Sequence, residues 1–119
     1  MYIKEASEQT GATQRAIRLY ESIGLLNVRR AGKYRVYSEQ NINLIMLIKE
    51  AQTLGISLSD LSRLKADDED FDWKLVSDFL IEKQKSVEKE IEVLEVKKRR
   101  IESYRISINK CNQALDSDL

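Results

Sequence analysis

The sequence predicts a mostly α-helical fold in which a small winged helix-turn-helix head is followed by one long C-terminal helix. Three observations carry this. Gly11 separates two short helical patterns, Gly32 sits between two short extended segments, and an apolar residue recurs every seven positions from Leu80 to Ile108. The expected organisation is a head over 1–66, an acidic linker over 67–72, a helix over 73–112 and a short polar tail over 113–119.

The first helical pattern covers 2–9, with Ile3 and Ala6 inward and Lys4, Glu5 and Glu8 outward. Gly11 supplies the turn, because only glycine enters φ > 0 without steric cost. Thr13 is placed to cap the second helix by accepting from its free first-turn amides. Ala16, Ile17, Tyr20 and Ile23 recur at i, i+1, i+4 and i+7 and form one apolar face. Gln14, Arg15 and Arg18 lie mostly away from that face, near the helix start, where a recognition helix meets base edges and phosphates. Gly24 closes the helix from the C′ position.

Arg29, Arg30, Lys33 and Arg35 place four cations within seven residues, interleaved with Tyr34 and Tyr37. Gly32 provides the φ > 0 that a hairpin turn wants. Cations for a phosphate backbone and rings for sugars are what a nucleic-acid clamp uses, whereas a solvated basic hairpin is the plainer alternative. Directly after a helix-turn-helix, the clamp is the expected role.

The run Arg18-Leu19-Tyr20-Glu21, then Gly24-Leu25, then Gly32-Lys33-Tyr34-Arg35-Val36-Tyr37 and Ser38 resembles the winged DNA-binding head of MerR-type regulators. The resemblance runs from Tyr2 to about Leu64, in a short form without a recognisable effector domain. It departs from many members at Leu19, where a second aromatic is usual, and in a shorter wing. It implies that Gln14, Arg15 and Arg18 enter the major groove while Thr13 and Tyr20 help to hold the backbone. It also implies phosphate contacts from Arg29, Arg30, Lys33, Arg35 and Tyr37. The partners it implies are double-stranded DNA, a second copy of the chain and RNA polymerase at the promoter. The implied activity is regulation of transcription by a homodimer on a palindromic promoter, through bending and untwisting of the spacer DNA. An architectural, excisionase-like protein without an inducer is one alternative, and a coiled-coil protein-interaction module is another.

Ser38 is the expected cap of the next helix, which Ile42, Ile45, Met46 and Ile48, with Leu44 and Leu47, make apolar almost all round. Gly55 ends it, and Ser57 to Asp60 has capping-box spacing for a short helix carrying Leu58, Leu61 and Leu64. The acidic run 67–72 lacks the spacing of a calcium loop and reads as a linker whose carboxylates favour the next helix N-terminus.

From Trp73 to about Asn112 no Gly or Pro interrupts the helix, and Leu80, Val87, Leu94, Ile101 and Ile108 form a seam that Ile91 widens. Such a seam needs a partner helix, which makes this the dimerisation helix. Its second seam position is often polar (Lys83, Glu90, Lys97), too weak for a parallel leucine zipper, so an antiparallel coiled coil is expected.

Composition excludes several classes. The chain has 119 residues, 34% of them charged, with no proline, no histidine and one cysteine. No apolar run approaches the ~20 residues a membrane span requires, and no signal peptide is visible, so a cytoplasmic protein is expected. Without histidine or a glycine-rich phosphate loop an enzyme is not expected, nor is a cofactor. The net charge of zero divides into ten Lys/Arg against six Asp/Glu through Lys65 and ten against fourteen beyond it. The first half has the sign suited to a polyanion. Cys111 stands roughly where metal-sensing MerR-like regulators carry one of two cysteines, but 112–119 offers no second, so no metal site is expected. It reads as a seam residue, with a thiol sensor and a metal site shared between two subunits as the alternatives.

Overall fold

The computed structural model describes residues 1–65 and 70–117. It divides into two compact units, Met1–Val76 and Ser77–Leu119. The first holds α1 (Ile3–Thr10), α2 (Gln14–Ser22), β1 (Arg29–Ala31), β2 (Tyr34–Val36), α3 (Glu39–Thr53) and α4 (Leu58–Arg63). The long helix α5 spans Trp73–Ser117.

The turn between α1 and α2 is stitched by short side chains. Thr10 Oγ1 donates to Ala6 O and accepts from Ala12 N, while Ser7 Oγ donates to Ala12 O at 2.6 Å. Gly11 takes φ 74°, and its carbonyl accepts from Lys49 Nζ of α3 at 2.8 Å. A Cβ there would stand 2.6 Å from Lys49 Nζ, the mobile end of a long side chain, so it is the positive φ that restricts the position to glycine. Thr13 caps α2 as the sequence implies, its side chain accepting from Ala16 N at 3.0 Å. A cap of this kind contributes about 1 kcal/mol.

Past α2 the chain turns inward: Gly24 N donates to Glu21 O and Leu25 N to Tyr20 O at 2.9 Å. This pair of bonds satisfies the last free carbonyls and swings Leu25 and Leu26, both 1% exposed, into the core. Ile23 does not join the apolar face expected of it and remains 41% exposed, because the helix ends before it and the inward turn begins after it. The core of this unit is built from Ala6, Ile17, Tyr20, Leu25, Leu26, Tyr37, Ile42, Ile45 and Ile48, all buried.

Ser38 caps α3 in a full capping box with Asn41, and Ser57 does the same for α4 with Asp60. α3 is one-sided rather than apolar all round. Ile42, Ile45 and Ile48 are buried, but Met46 is 43% and Leu47 57% exposed, since α1 and α2 cover only one of its faces. Lys65 and Phe71 form an isolated bridge across the segment that carries residues 67–69 of the expected linker, which lie outside the described residues. Asp72 caps α5, its Oδ1 accepting from Leu75 N at 3.1 Å.

α5 has 45 residues, about 68 Å at ~1.5 Å per residue, and runs through 113–117 of the expected polar tail. Gln113-Ala114-Leu115 offers no helix breaker, so the helix does not stop where the seam thins. No helix among the described residues is long and apolar enough to cross a membrane.

Candidate nucleic-acid interface

Gln14, Arg15 and Arg18 are exposed along the outer side of α2, while Ile17 and Tyr20 anchor its inner side at 0% and 2% exposure. The Tyr20 hydroxyl donates to Gln52 Oε1 at 2.6 Å, which ties α2 to α3. That hydrogen bond and the ring's burial place Tyr20, expected from the sequence to help hold the DNA backbone, on the inner side of α2.

The hairpin pairs Arg29 with Val36, Arg30 with Arg35 and Ala31 with Tyr34 in antiparallel register. Gly32 has φ 63° and Lys33 is not in the positive-φ region, the combination of a type II′ turn. Two arginines directly opposite each other destabilise a sheet. Glu21, projecting from α2, offsets this: Arg35 Nε donates to its Oε2 at 2.5 Å, and Arg30 Nη2 lies 3.9 Å from its Oε1. The Glu21 side chain is 18% exposed, so the wing is pinned to the helix by a sheltered carboxylate. Sequence reasoning assigned Glu21 no role. The signal was present in an acid three residues after Arg18, on a helix followed by a cation-rich hairpin.

Arg29, Arg30 and Lys33 remain exposed, with Lys33 Nζ 5.5 Å from the Tyr34 ring centre, and Tyr34 packs edge-on against Tyr2. Arg35 is half-buried by its pairing, so its charge is partly spent inside the protein. Tyr37 is not on the surface at all. It is 2% exposed, its backbone N–H donates to Met1 O at 2.6 Å, and its hydroxyl is buried without a hydrogen-bonding partner among the described residues. The strand alternation turns Tyr37, expected from the sequence among the phosphate contacts, inward one position after β2.

Arg18 of α2 and Lys33, Tyr34 and Arg35 of the hairpin converge on one shallow cleft, completed by Tyr2 and Ile3. Helix and wing therefore present a single cationic surface.

A family comparison decides what kind of head this is: residues 1–67 match the model for the MerR HTH family regulatory protein. The chain belongs to the MerR family. The regulator HmrR from Sinorhizobium medicae is 38% identical over 68 residues, covering 56% of this chain and 46% of the relative. CueR from Salmonella typhi is 33% identical over 66 residues, covering 54% and 48%. The match spans about half the length of these relatives.

Solved structures extend the likeness in fold. A protein assigned to the MerR family transcriptional regulators, from Listeria monocytogenes, superposes with a TM-score of 0.69 at 22% identity, covering 98% of this chain and 95% of its own. HiNmlR, a MerR family regulator lacking the sensor domain and bound to promoter DNA, gives 0.60 at 24% identity, covering 80% and 75%. At these identities the MerR-type fold, a winged helix-turn-helix with a long helix, is what is shared.

The two buried tyrosines carry a pH signature. Burial raises the Tyr20 phenol above its ordinary 10.0. For Tyr37 burial again leads, Glu21 adds to it, and Arg35, Arg18 and Arg30 oppose it. Because the folded pKa lies above the unfolded one, the unfolded chain releases these protons first. Stability is therefore unaffected by them below about pH 10 and falls as pH rises through the folded values. Denaturant titrations across this window should show that loss, and Tyr37→Phe, which keeps the packing, should remove part of it. An equal slope in the phenylalanine variant would mean that the Tyr37 phenol has the same pKa in the folded and the unfolded chain.

Cys111 is exposed on α5, and no group of three or more His, Cys, Asp or Glu among the described residues could hold a metal ion.

Proposed function

We propose that this MerR family protein is a transcription regulator that binds a palindromic promoter as a homodimer and acts by distorting the spacer between the half-sites. The observation that carries the reading is the convergence of Arg18 from α2 with Lys33 and Arg35 from the wing on one exposed cationic surface. Gln14 and Arg15, exposed beside it, are the readers of base edges, and Arg29, Arg30 and Lys33 are the phosphate clamp. Thr13, which caps α2, brings the helix N-terminus toward the backbone, where its free amides favour a phosphate. Two such heads on one dimer engage two half-sites. Energy stored in bending and untwisting the intervening base pairs then governs how RNA polymerase meets the promoter, without contact to those pairs.

Homodimer formation is supported by the seam, whose five residues and Ile91 are all exposed in the single chain. An isolated helix of this length would keep that stripe in water, and a second copy removes it.

The test separates clamp from reader. Lys33→Ala should weaken operator and random duplexes alike and make the slope of log K against log salt shallower by about 0.9, as removing one phosphate-neutralising cation does. Gln14→Ala should cost discrimination, about 1–3 kcal/mol at one base pair, with an unchanged salt slope. Arg35→Ala should change the slope less than Lys33→Ala, because Arg35 is committed to Glu21. Duplex binding that is insensitive to salt in the native protein would overturn the DNA reading and leave a protein-interaction module.

A further inference from the structure

We propose that Glu21 is a specificity-determining residue that acts without touching nucleic acid: it withholds Arg35 from phosphates and fixes the wing against α2. The head then gains little on a duplex that its helix does not read. This rests on the DNA reading above and adds to it a residue that limits binding to other sequences.

Non-specific affinity for DNA is electrostatic and grows with every cation that finds a phosphate. The cleft at the junction of α2 and the wing is lined by Arg18, Lys33 and Arg35, with Tyr2, Ile3 and Tyr34. Among the described residues Arg18 and Lys33 pair with no carboxylate, whereas Arg35 Nε donates to Glu21 Oε2 at 2.5 Å. A phosphate entering this cleft meets Arg18 and Lys33 at full charge and Arg35 already neutralised. Glu21 stands one turn after Arg18 on the same side of α2, where residues three apart are neighbours. Its side chain is only 18% exposed, and a sheltered pair of this kind is screened by salt much less than one in open solvent. Beneath it lies the Tyr37 ring, 2% exposed, whose hydroxyl has no hydrogen-bonding partner among the described residues. That phenol feels Glu21, Arg35, Arg18 and Arg30 together, so these charges are gathered around one buried group.

The same carboxylate sets the orientation of the wing. Arg30 and Arg35 stand opposite each other in the hairpin, and Arg30 Nη2 lies 3.9 Å from Glu21 Oε1. Without Glu21 the two arginines repel, and phosphates of any sequence become the compensating charge. With it, Arg29 and Lys33 keep one orientation relative to Gln14 and Arg15, so phosphate contacts and base contacts form together.

The test uses the full chain, a duplex selected by the native protein from a random pool, and a shuffled duplex of the same composition. Glu21→Gln should bind the shuffled duplex about five- to tenfold more tightly at about 0.1 M salt, with the slope of log K against log salt steeper by about 0.9. Affinity for the selected duplex should change by less than about threefold, because lost preorganisation offsets the added charge. Adding Arg35→Ala should return the slope to its native value. A Glu21 that only supports the fold would instead weaken both duplexes with the slope unchanged or shallower, which overturns the proposal. Equal tightening of both duplexes overturns the specificity role, and a slope that stays steep in the double variant shows that Arg35 is not the cation withheld. Should Glu21→Gln fail to fold, Arg35→Ala alone carries the test. A slope loss as large as that of Lys33→Ala would mean that Arg35 neutralises a phosphate in the native complex, again overturning the proposal, and a smaller loss supports it. In all these cases the DNA reading stands; it falls only if the native chain selects no duplex.

Discussion

Replacing Leu94 and Ile101 together with glutamate is expected to convert the proposed homodimer to monomers and to lower operator affinity by about 10²–10⁴-fold. Four carboxylates per dimer would otherwise have to enter an apolar seam without partners, and no rearrangement of a straight helix pair hides them. The loss of affinity follows from linkage of the heads. When two heads are joined, the second half-site is met at an effective concentration set by the dimer, and that advantage disappears when the heads separate. Sedimentation velocity reads the first effect and a salt-matched operator titration the second. An intact dimer would remove the seam from its assigned role. Monomers with native operator affinity would show that one head suffices, which would end the two-half-site reading while leaving the helix assignment in place.

Ile17→Ala is expected to have the largest effect on stability in the head, about 2–5 kcal/mol, because it empties a fully buried site on the inner side of α2. Ile23→Ala, six residues further on but 41% exposed, should cost well under 1 kcal/mol. Chemical denaturation of the two variants side by side measures the contrast. Equal losses would mean that the inward turn at Gly24 does not hold Ile23 away from the core. The comparison also bears on function. Ile17 and the Tyr20–Gln52 hydrogen bond hold the helix that presents Gln14, Arg15 and Arg18, so destabilising its back should weaken DNA binding with no change in the surface residues.

The same pair of isoleucines marks where reading the chain by its pattern succeeds and fails. Local signals state their own geometry. Gly11 ends α1, Thr13, Ser38 and Ser57 cap the helices that follow, and Gly32 turns a hairpin, because each acts through backbone atoms a few residues away. Those signals, with the spaced Arg-Leu-Tyr-Glu and Tyr-Arg-Val-Tyr runs, were sufficient for the MerR fold. The seam of α5 was legible for a related reason: a strict period of seven in one uninterrupted helix specifies a stripe whatever else is present.

Which side of a residue is covered was not legible, because that depends on elements distant in sequence. Periodicity placed Ile23 and Met46 on apolar faces, but a chain reversal and a one-sided helix left both exposed. Tyr20 and Tyr37 have the composition of ligand contacts, yet packing against α3 and pairing with Met1 bury both rings in the head. Arg35 looked like a free clamp until Glu21, fourteen residues earlier, was brought within 2.5 Å of it. The sequence by itself determined the order of elements, their caps and turns, the family, and the stripe on the long helix, all properties of short-range backbone geometry or of one regular repeat. Only the tertiary structure decided which tyrosines, arginines and isoleucines face solvent, because burial and ion pairing are set by whatever part of the chain folds against them.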